Sequence, residues 1–137
     1  MADVSPKRES IRVAQAPRQI PTLAHATRFG DVIYTSGAAP RVPETHEIPD
    51  GFEAQARQVF ANLEAVLVAS GSSIRQSLKL TVYLADIADW AVMQSIYEEY
   101  VDAEAPPART TVEVSGMNND YLIEVDAIAP AGARPAA

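Results

Sequence analysis

Between residues 52 and 67, apolar side chains recur at helical spacing: Phe52, Ala56, Val59, Phe60, Leu63, Val66 and Leu67. That period predicts an amphipathic helix with one buried stripe. Asp50, with Glu53 three residues on, has the spacing of a capping box at its start. Gly71 suits its end. Directly after it, "SLKLTVYL" (77–84) alternates, with Leu78, Leu80, Val82 and Leu84 on one side and Lys79, Thr81 and Tyr83 on the other. This is a half-buried strand. A second helix follows, capped by Asp86 or Asp89, with Trp90, Met93, Tyr97, Tyr100 and Val101 as its buried stripe, and Pro106-Pro107 stop it.

The flanks read as strands. "AHATRFGDVIYTSG" (24–37) is a hairpin turning at Gly30-Asp31, and "SIRVA" (10–14) is a short edge strand. Residues 38–51 hold three prolines without periodicity and read as a loop, either a flap or a plain connector. Two last strands span 108–115 and 121–129, joined by the turn-rich "GMNND". The expected order is β-β-α-β-α-β-β, an α+β single domain with both helices on one face of a mixed sheet. Residues 1–18 read as a partly flexible extension, 19–130 as the domain and 131–137 as a flexible tail.

Parity along the last strands sets an expected face for each residue. Val112 and Val114 point Ala108 and Thr110 toward the helices, leaving Arg109, Thr111 and Glu113 on the open face. Ile123, Val125 and Ala127 suit the core; Leu122, Glu124, Asp126 and Ile128 take the other side. A hairpin about Met117-Asn118 pairs Thr111 with Glu124 and Arg109 with Asp126. The plain reading of that face is cross-strand ion pairs in solvent. Its apolar members, with Tyr83 and Tyr34, point instead to a second copy of the chain as cover.

Composition narrows the chemistry. The chain has 137 residues, a formal net charge of -7 and no cysteine. Thiol chemistry and disulfides are excluded, and a polyanion such as nucleic acid is a poor partner for an acidic chain. Two histidines, His25 and His46, are too few for a typical catalytic metal cluster. No run of ~20 apolar residues suggests a membrane span, and the N-terminus lacks a signal peptide's apolar stretch, so a cytoplasmic location is expected. His25 is either a proton relay or an ordinary polar strand residue. Trp90, Tyr97 and Tyr100 read as core, and Glu98-Glu99 as a solvated helix face.

"GDVIYTSGAAP" (30–40), "QARQVFANLEAVLVASGSS" (55–73), "LKLTVYLADIADWAVMQSIYEEY" (78–100) and "PPARTTVEV…YLIEVDAIA" resemble the Rid, or YjgF-like, family of enamine and imine deaminases. The likeness covers residues 19–130. It implies a chorismate-mutase-like fold, a homotrimer with ligand sites between subunits, and hydrolytic deamination of small 2-enamino or 2-imino acids without cofactor or metal. Arg109 corresponds to the family arginine that clamps the substrate carboxylate, and Glu124 to the glutamate that holds or activates water. Ser36 and Gly37 correspond to the turn lining the same cleft. Leu23 stands where a tyrosine is usual, Thr111 where a cysteine is, and Gln94 where an asparagine is. "SGMNND" replaces a loop that usually carries a basic residue, Leu and Pro. These departures put the chain outside the best-characterised subgroup. They leave open a second reading, a non-catalytic trimer that binds or senses a small carboxylate.

Overall fold

The computed structural model describes residues 3–132. Six strands, β1 (Glu9–Ile11), β2 (Ala26–Phe29), β3 (Val32–Thr35), β4 (Lys79–Leu84), β5 (Ala108–Glu113) and β6 (Ile123–Pro130), form one sheet. Their order is β1-β2-β3-β6-β4-β5. Helices α1 (Phe52–Ala69) and α2 (Trp90–Tyr97) complete the α+β domain, with one-turn 3-10 segments at Ile87–Asp89 and Asn118–Asp120. Every strand pair is antiparallel except β4 with β5.

The sheet corrects the expected C-terminal hairpin. β5 and β6 do not pair: β6 inserts between β3 and β4, and β5 lies parallel to β4 at the edge. Composition explains the choice. β6 alternates buried and half-buried along all eight residues, with Ile123, Val125, Ala127 and Ala129 in the core, as a central strand requires. β5 is "ARTTVE", with too little apolar surface for the interior. The segment carrying α2 supplies the long crossover a parallel pair needs.

Parity on β5 is corrected too. Leu80 pairs with Arg109 and Val82 with Thr111, and both partners are fully buried beneath the helices. Arg109 and Thr111 therefore face the helices. Ala108, Thr110 and Val112 face the open side, and Val112 is 38% exposed. Val112, apolar but near the end of an edge strand, does not mark the core face.

The helices sit on that one face. Phe60 of α1 contacts Tyr97 and Tyr100, with ring centroids 6.4 and 5.5 Å apart. Arg57 bridges Glu53 and Glu99, tying α1 to the segment after α2. The expected capping box is absent: Gly51, at φ 83°, is the residue before α1, and no side chain caps the helix. Instead the buried Gln55 donates to the carbonyl of Pro49 and accepts from the Leu122 N–H, fixing the helix start to the head of β6. Asp86 caps the 3-10 turn before α2, accepting from the Ala88 N–H at 2.9 Å.

At the N-terminus, β1 pairs with β2, and Val13 and Ala16 are buried in the core. His25, 7% exposed, holds this segment: its Nδ1 accepts from the Val13 N–H at 3.0 Å, and its Nε2 lies 2.7 Å from the Pro17 carbonyl, to which it donates. Both ring nitrogens are committed to backbone, so His25 is a structural tie and not a relay. The Ala131 N–H donates to the Asp31 carbonyl; the end of the tail expected to be flexible lies outside the described residues.

Candidate functional site

Arg109 stands on β5 against the face of α2. Its guanidinium carbon lies 4.4 Å from the centroid of Tyr97 and 5.4 Å from that of Trp90. Nη1 donates to Gln94 Oε1 at 2.6 Å, and Gln94 in turn donates to Glu98. Trp90, Gln94 and Tyr97 fall on one side of α2, so a single helix face forms the cradle. Two aromatic rings and an amide thus orient the fork without neutralising it. Among the described residues, Arg109 makes no ion pair with a carboxylate. The expected pairing with Asp126 is absent, since Asp126 accepts from the Tyr83 hydroxyl; Glu113 accepts from the Ile87 N–H. Burial pushes the Tyr97 phenol up, and the neighbouring guanidinium pulls it partly back.

Two residues along the same strand and face, the Thr111 hydroxyl is buried without a hydrogen-bond partner among the described residues. A buried hydroxyl without a partner costs free energy.

Glu124 lies on β6, on the open side of the sheet, opposite Tyr83. Burial, and secondarily the negative charge of Asp126, hold its carboxyl above the usual range. Its position depends on the end of β3. The register of β3 against β6 slips by one residue between the Tyr34–Ile128 and Ala38–Val125 pairs, so Ser36-Gly37 bulges. The Thr35 hydroxyl takes over the Ala127 N–H at 2.9 Å. The bulge brings Gly37 onto Glu124: a Cβ there would stand 2.5 Å from Oε2 and 2.8 Å from Cδ. Glycine is required here by close approach. Ser36 Oγ donates to the Ala24 carbonyl at 2.6 Å, linking the bulge to the segment that carries Leu23, itself 40% exposed. Arg12 stitches that segment together by donating to the carbonyls of Ile20, Pro21 and Leu23.

The candidate residues therefore form two groups. Arg109, Thr111 and Gln94 sit on the helix side of the edge strand. Ser36, Gly37 and Glu124, with Leu23 beside them, sit at the β3–β6 junction, Glu124 itself on the opposite side of the sheet. β5 is two strands from β6, about 9–10 Å of sheet. Within one chain the guanidinium and the Glu124 carboxylate cannot meet around a small molecule. Trp90 and Tyr97 were missed as site residues, though their spacing with Gln94 on α2 carried the signal. Among the described residues, no group of three His, Cys, Asp or Glu side chains is placed to hold a metal ion, and no helix is long and apolar enough to cross a membrane.

The raised Glu124 pKa has a consequence for stability. The unfolded glutamate ionises at about pH 4.3. The folded one holds its proton to higher pH, so stability falls as pH rises through that window and stays lower at neutrality. Glu124→Gln removes this cost. The variant is expected to melt above the wild type at pH 7, with the gap closing at about pH 4 and below. Thermal melts across that range check it; a variant that melts lower at pH 7 would contradict the burial argument.

Comparison with known proteins agrees with this architecture. The family model described as endoribonuclease L-PSP matches residues 13–131. A RutC family protein of Pyrococcus horikoshii is 42% identical over 123 residues, covering 89% of this chain and 97% of the relative. TdcF of Escherichia coli, provisionally named a reactive intermediate deaminase, is 33% identical over 87% of this chain and 94% of its own. Among solved structures, RidA of an Antarctic Psychrobacter superposes with a TM-score of 0.84 at 34% identity, covering 89% of this chain and 98% of its own. E. coli TdcF with bound serine gives 0.81 at 32% identity, covering 89% and 98%. These matches correct the expected fold as well: the six-stranded sheet with two helices on one face is the RidA/YjgF fold, not a chorismate-mutase-like one. On the extent of these matches, the chain is a member of the Rid/YjgF-like family, the one whose model is described as endoribonuclease L-PSP.

Proposed function

We propose that the protein is a hydrolytic deaminase of small 2-imino and 2-enamino acids, working as a homotrimer with each site shared between two subunits. The observation that carries this reading is the separation of the two groups. Arg109 is oriented by Trp90, Tyr97 and Gln94 yet has no acid partner among the described residues, while Glu124 is packed on Gly37 across the sheet. Each group lacks what the other supplies, and an open sheet face beside an edge strand invites a second copy.

In this reading the guanidinium fork takes the substrate carboxylate by two parallel, charge-assisted hydrogen bonds. That fixes the C=N carbon in front of a water held by Glu124 of the neighbouring subunit. Glu124 accepts a proton as the water oxygen bonds to carbon and passes it to the nitrogen, giving a carbinolamine. The same carboxyl then moves the carbinolamine's hydroxyl proton to the amine as the C–N bond breaks; ammonia leaves, and a 2-oxo acid remains. An enamine is first protonated at carbon to give the same imine. Thr111, two residues on along β5 and on the same face, takes the assisting place beside the clamp that the family resemblance implies. A carboxyl with a raised pKa suits this shuttle, because general acid–base work is best done near the operating pH.

The name given to TdcF and the serine bound in its crystal support a small carboxylate-bearing ligand. The description of the family model as an endoribonuclease fits the chain less well: a net charge of -7 opposes an RNA backbone. Leu23, which brings an alkyl chain where the resemblance expects a phenol, favours the second reading, a binding protein without turnover. Ammonia release separates the two. An amino-acid oxidase generates several 2-imino acids in turn, and the protein is expected to accelerate their hydrolysis. No acceleration with any of them would leave only the binding reading. A stable monomer in sedimentation at micromolar concentration would remove the shared site altogether.

A further inference from the structure

We propose that a pocket behind the Ser36-Gly37 bulge, on the α1 side and away from Arg109, binds a second small carboxylate with an aliphatic body. The pocket measures about 190 Å³. That is well below the ~300–1,000 Å³ of drug-sized sites, which limits the occupant to a small metabolite.

Charge sets its class. Arg18 and Arg41 line the pocket, and among the described residues no aspartate or glutamate does, in a chain whose net charge is -7. Neither arginine has an ion-pair partner among the described residues. Arg41 is nonetheless held in place. Its Nε donates to the Tyr121 hydroxyl at 2.7 Å, its Nη1 donates to the His46 carbonyl at 2.6 Å, and it lies over the Tyr121 ring at 5.7 Å. An oriented guanidinium facing a small cavity, bonded only to neutral groups, is built for an anion.

The loop that carries Arg41 is held under tension. His46 adopts φ 61°, a left-handed conformation uncommon for a residue other than glycine. Its Nε2 accepts from the Arg18 N–H at 3.2 Å, so the strained residue latches the 38–51 loop onto the N-terminal segment and closes the pocket. Asn62 of α1 secures the same loop from below, donating to the carbonyls of Ala39 and Arg41 at 2.8 Å each. Strain of this kind persists where the surroundings over-determine it, and it concentrates at ligand clamps. The opposite wall is apolar, formed by Leu63 and Val66 with Ile20 at the mouth. A carboxylate on Arg41 with a short branched chain against α1 satisfies both walls.

The pocket shares Ser36 and Gly37 with the junction that holds Glu124. Its ligand would brace the bulge from behind.

The test uses Arg109→Ala protein, which removes the clamp so that binding at this pocket is read alone; Arg109 does not line the pocket. Isobutyrate is titrated while backbone amides are followed by NMR. Saturable shifts are expected at Gly37, Ala39 and Asn62. Arg41→Met should weaken binding at least tenfold. Ala39→Leu, which fills the pocket without touching a charge, should do the same and covers the case in which Arg41→Met fails to fold. Isobutyramide, the same shape without the charge, should leave the amides unmoved. Three results would overturn the proposal: no saturable shift in the Arg109→Ala protein, unchanged affinity in the pocket variants, or equal binding of the amide.

Discussion

Arg109→Ala is expected to abolish binding of small 2-oxo acids and any deamination, and to leave the fold nearly untouched. The two effects differ in size because the guanidinium has two kinds of partner. Toward its own chain it has a hydrogen bond to Gln94 and stacking on Tyr97 and Trp90. A part-exposed cation–π contact is worth about 0.5–1 kcal/mol and a hydrogen bond about 0.5–1.5 kcal/mol. Toward a ligand it would form a desolvated charge pair, whose loss costs about 2–5 kcal/mol. That is at least a tenfold loss of affinity, set against a small shift in melting temperature. Arg109→Lys should rescue little, since an ammonium cannot offer the parallel fork. Calorimetry with pyruvate and thermal melts of the three proteins read both quantities. A variant that binds pyruvate with wild-type affinity would end the carboxylate-clamp reading. A collapse of the fold would mean that Arg109 is structural.

The parts of this site that could be read in the sequence are those fixed by local periodicity. The stripe from Phe52 to Leu67 gave α1, and the alternation of Leu80, Val82 and Leu84 gave β4, because burial on one face imposes its period on the chain. β6 was legible for the same reason. What escaped was long-range. Nothing local in "ARTTVE" says that it leaves β6 and joins β4 as a parallel edge. Arg109 and Thr111 were therefore assigned to the wrong face, since one slip of parity exchanges the two sides. Gly51 displaced Asp50 at the start of α1 because Gln55 anchors that end, an arrangement that rests on Leu122, far along the chain. The cradle of Arg109 was half legible: Trp90, Gln94 and Tyr97 show helical spacing, but only the position of β5 gives that face something to hold. The contact of Gly37 with Glu124 needs the bulge in β3, and a bulge is a property of the paired strands and not of either one alone.

The separation of Arg109 from Glu124 makes a stronger test than either single variant. Arg109→Ala keeps the Glu124 group intact, and Glu124→Gln keeps the Arg109 group intact. On the proposed assembly, each homotrimer should be inactive, since every site lacks one member. Mixed trimers should not be. Around a ring of three subunits with both variants present, one boundary joins an intact Arg109 to an intact Glu124. Random assembly of equal amounts makes about three-quarters of the trimers mixed, each with one working site, so activity should return to about a quarter of wild type. Co-expression of the two variants under different tags, with purification through both, enriches the mixed species and should raise recovery to about a third. A site contained within one subunit makes the opposite forecast, because no mixture of subunits each lacking a member can restore it. Glu124→Gln suits this design because it removes the proton acceptor without filling the space against Gly37. Gly37→Ala would not serve, since its methyl group would drive into the carboxyl. If the mixture is as inactive as its parents while the doubly tagged trimer is folded, the shared site is wrong, and the 2-imino acid chemistry built on it falls with it.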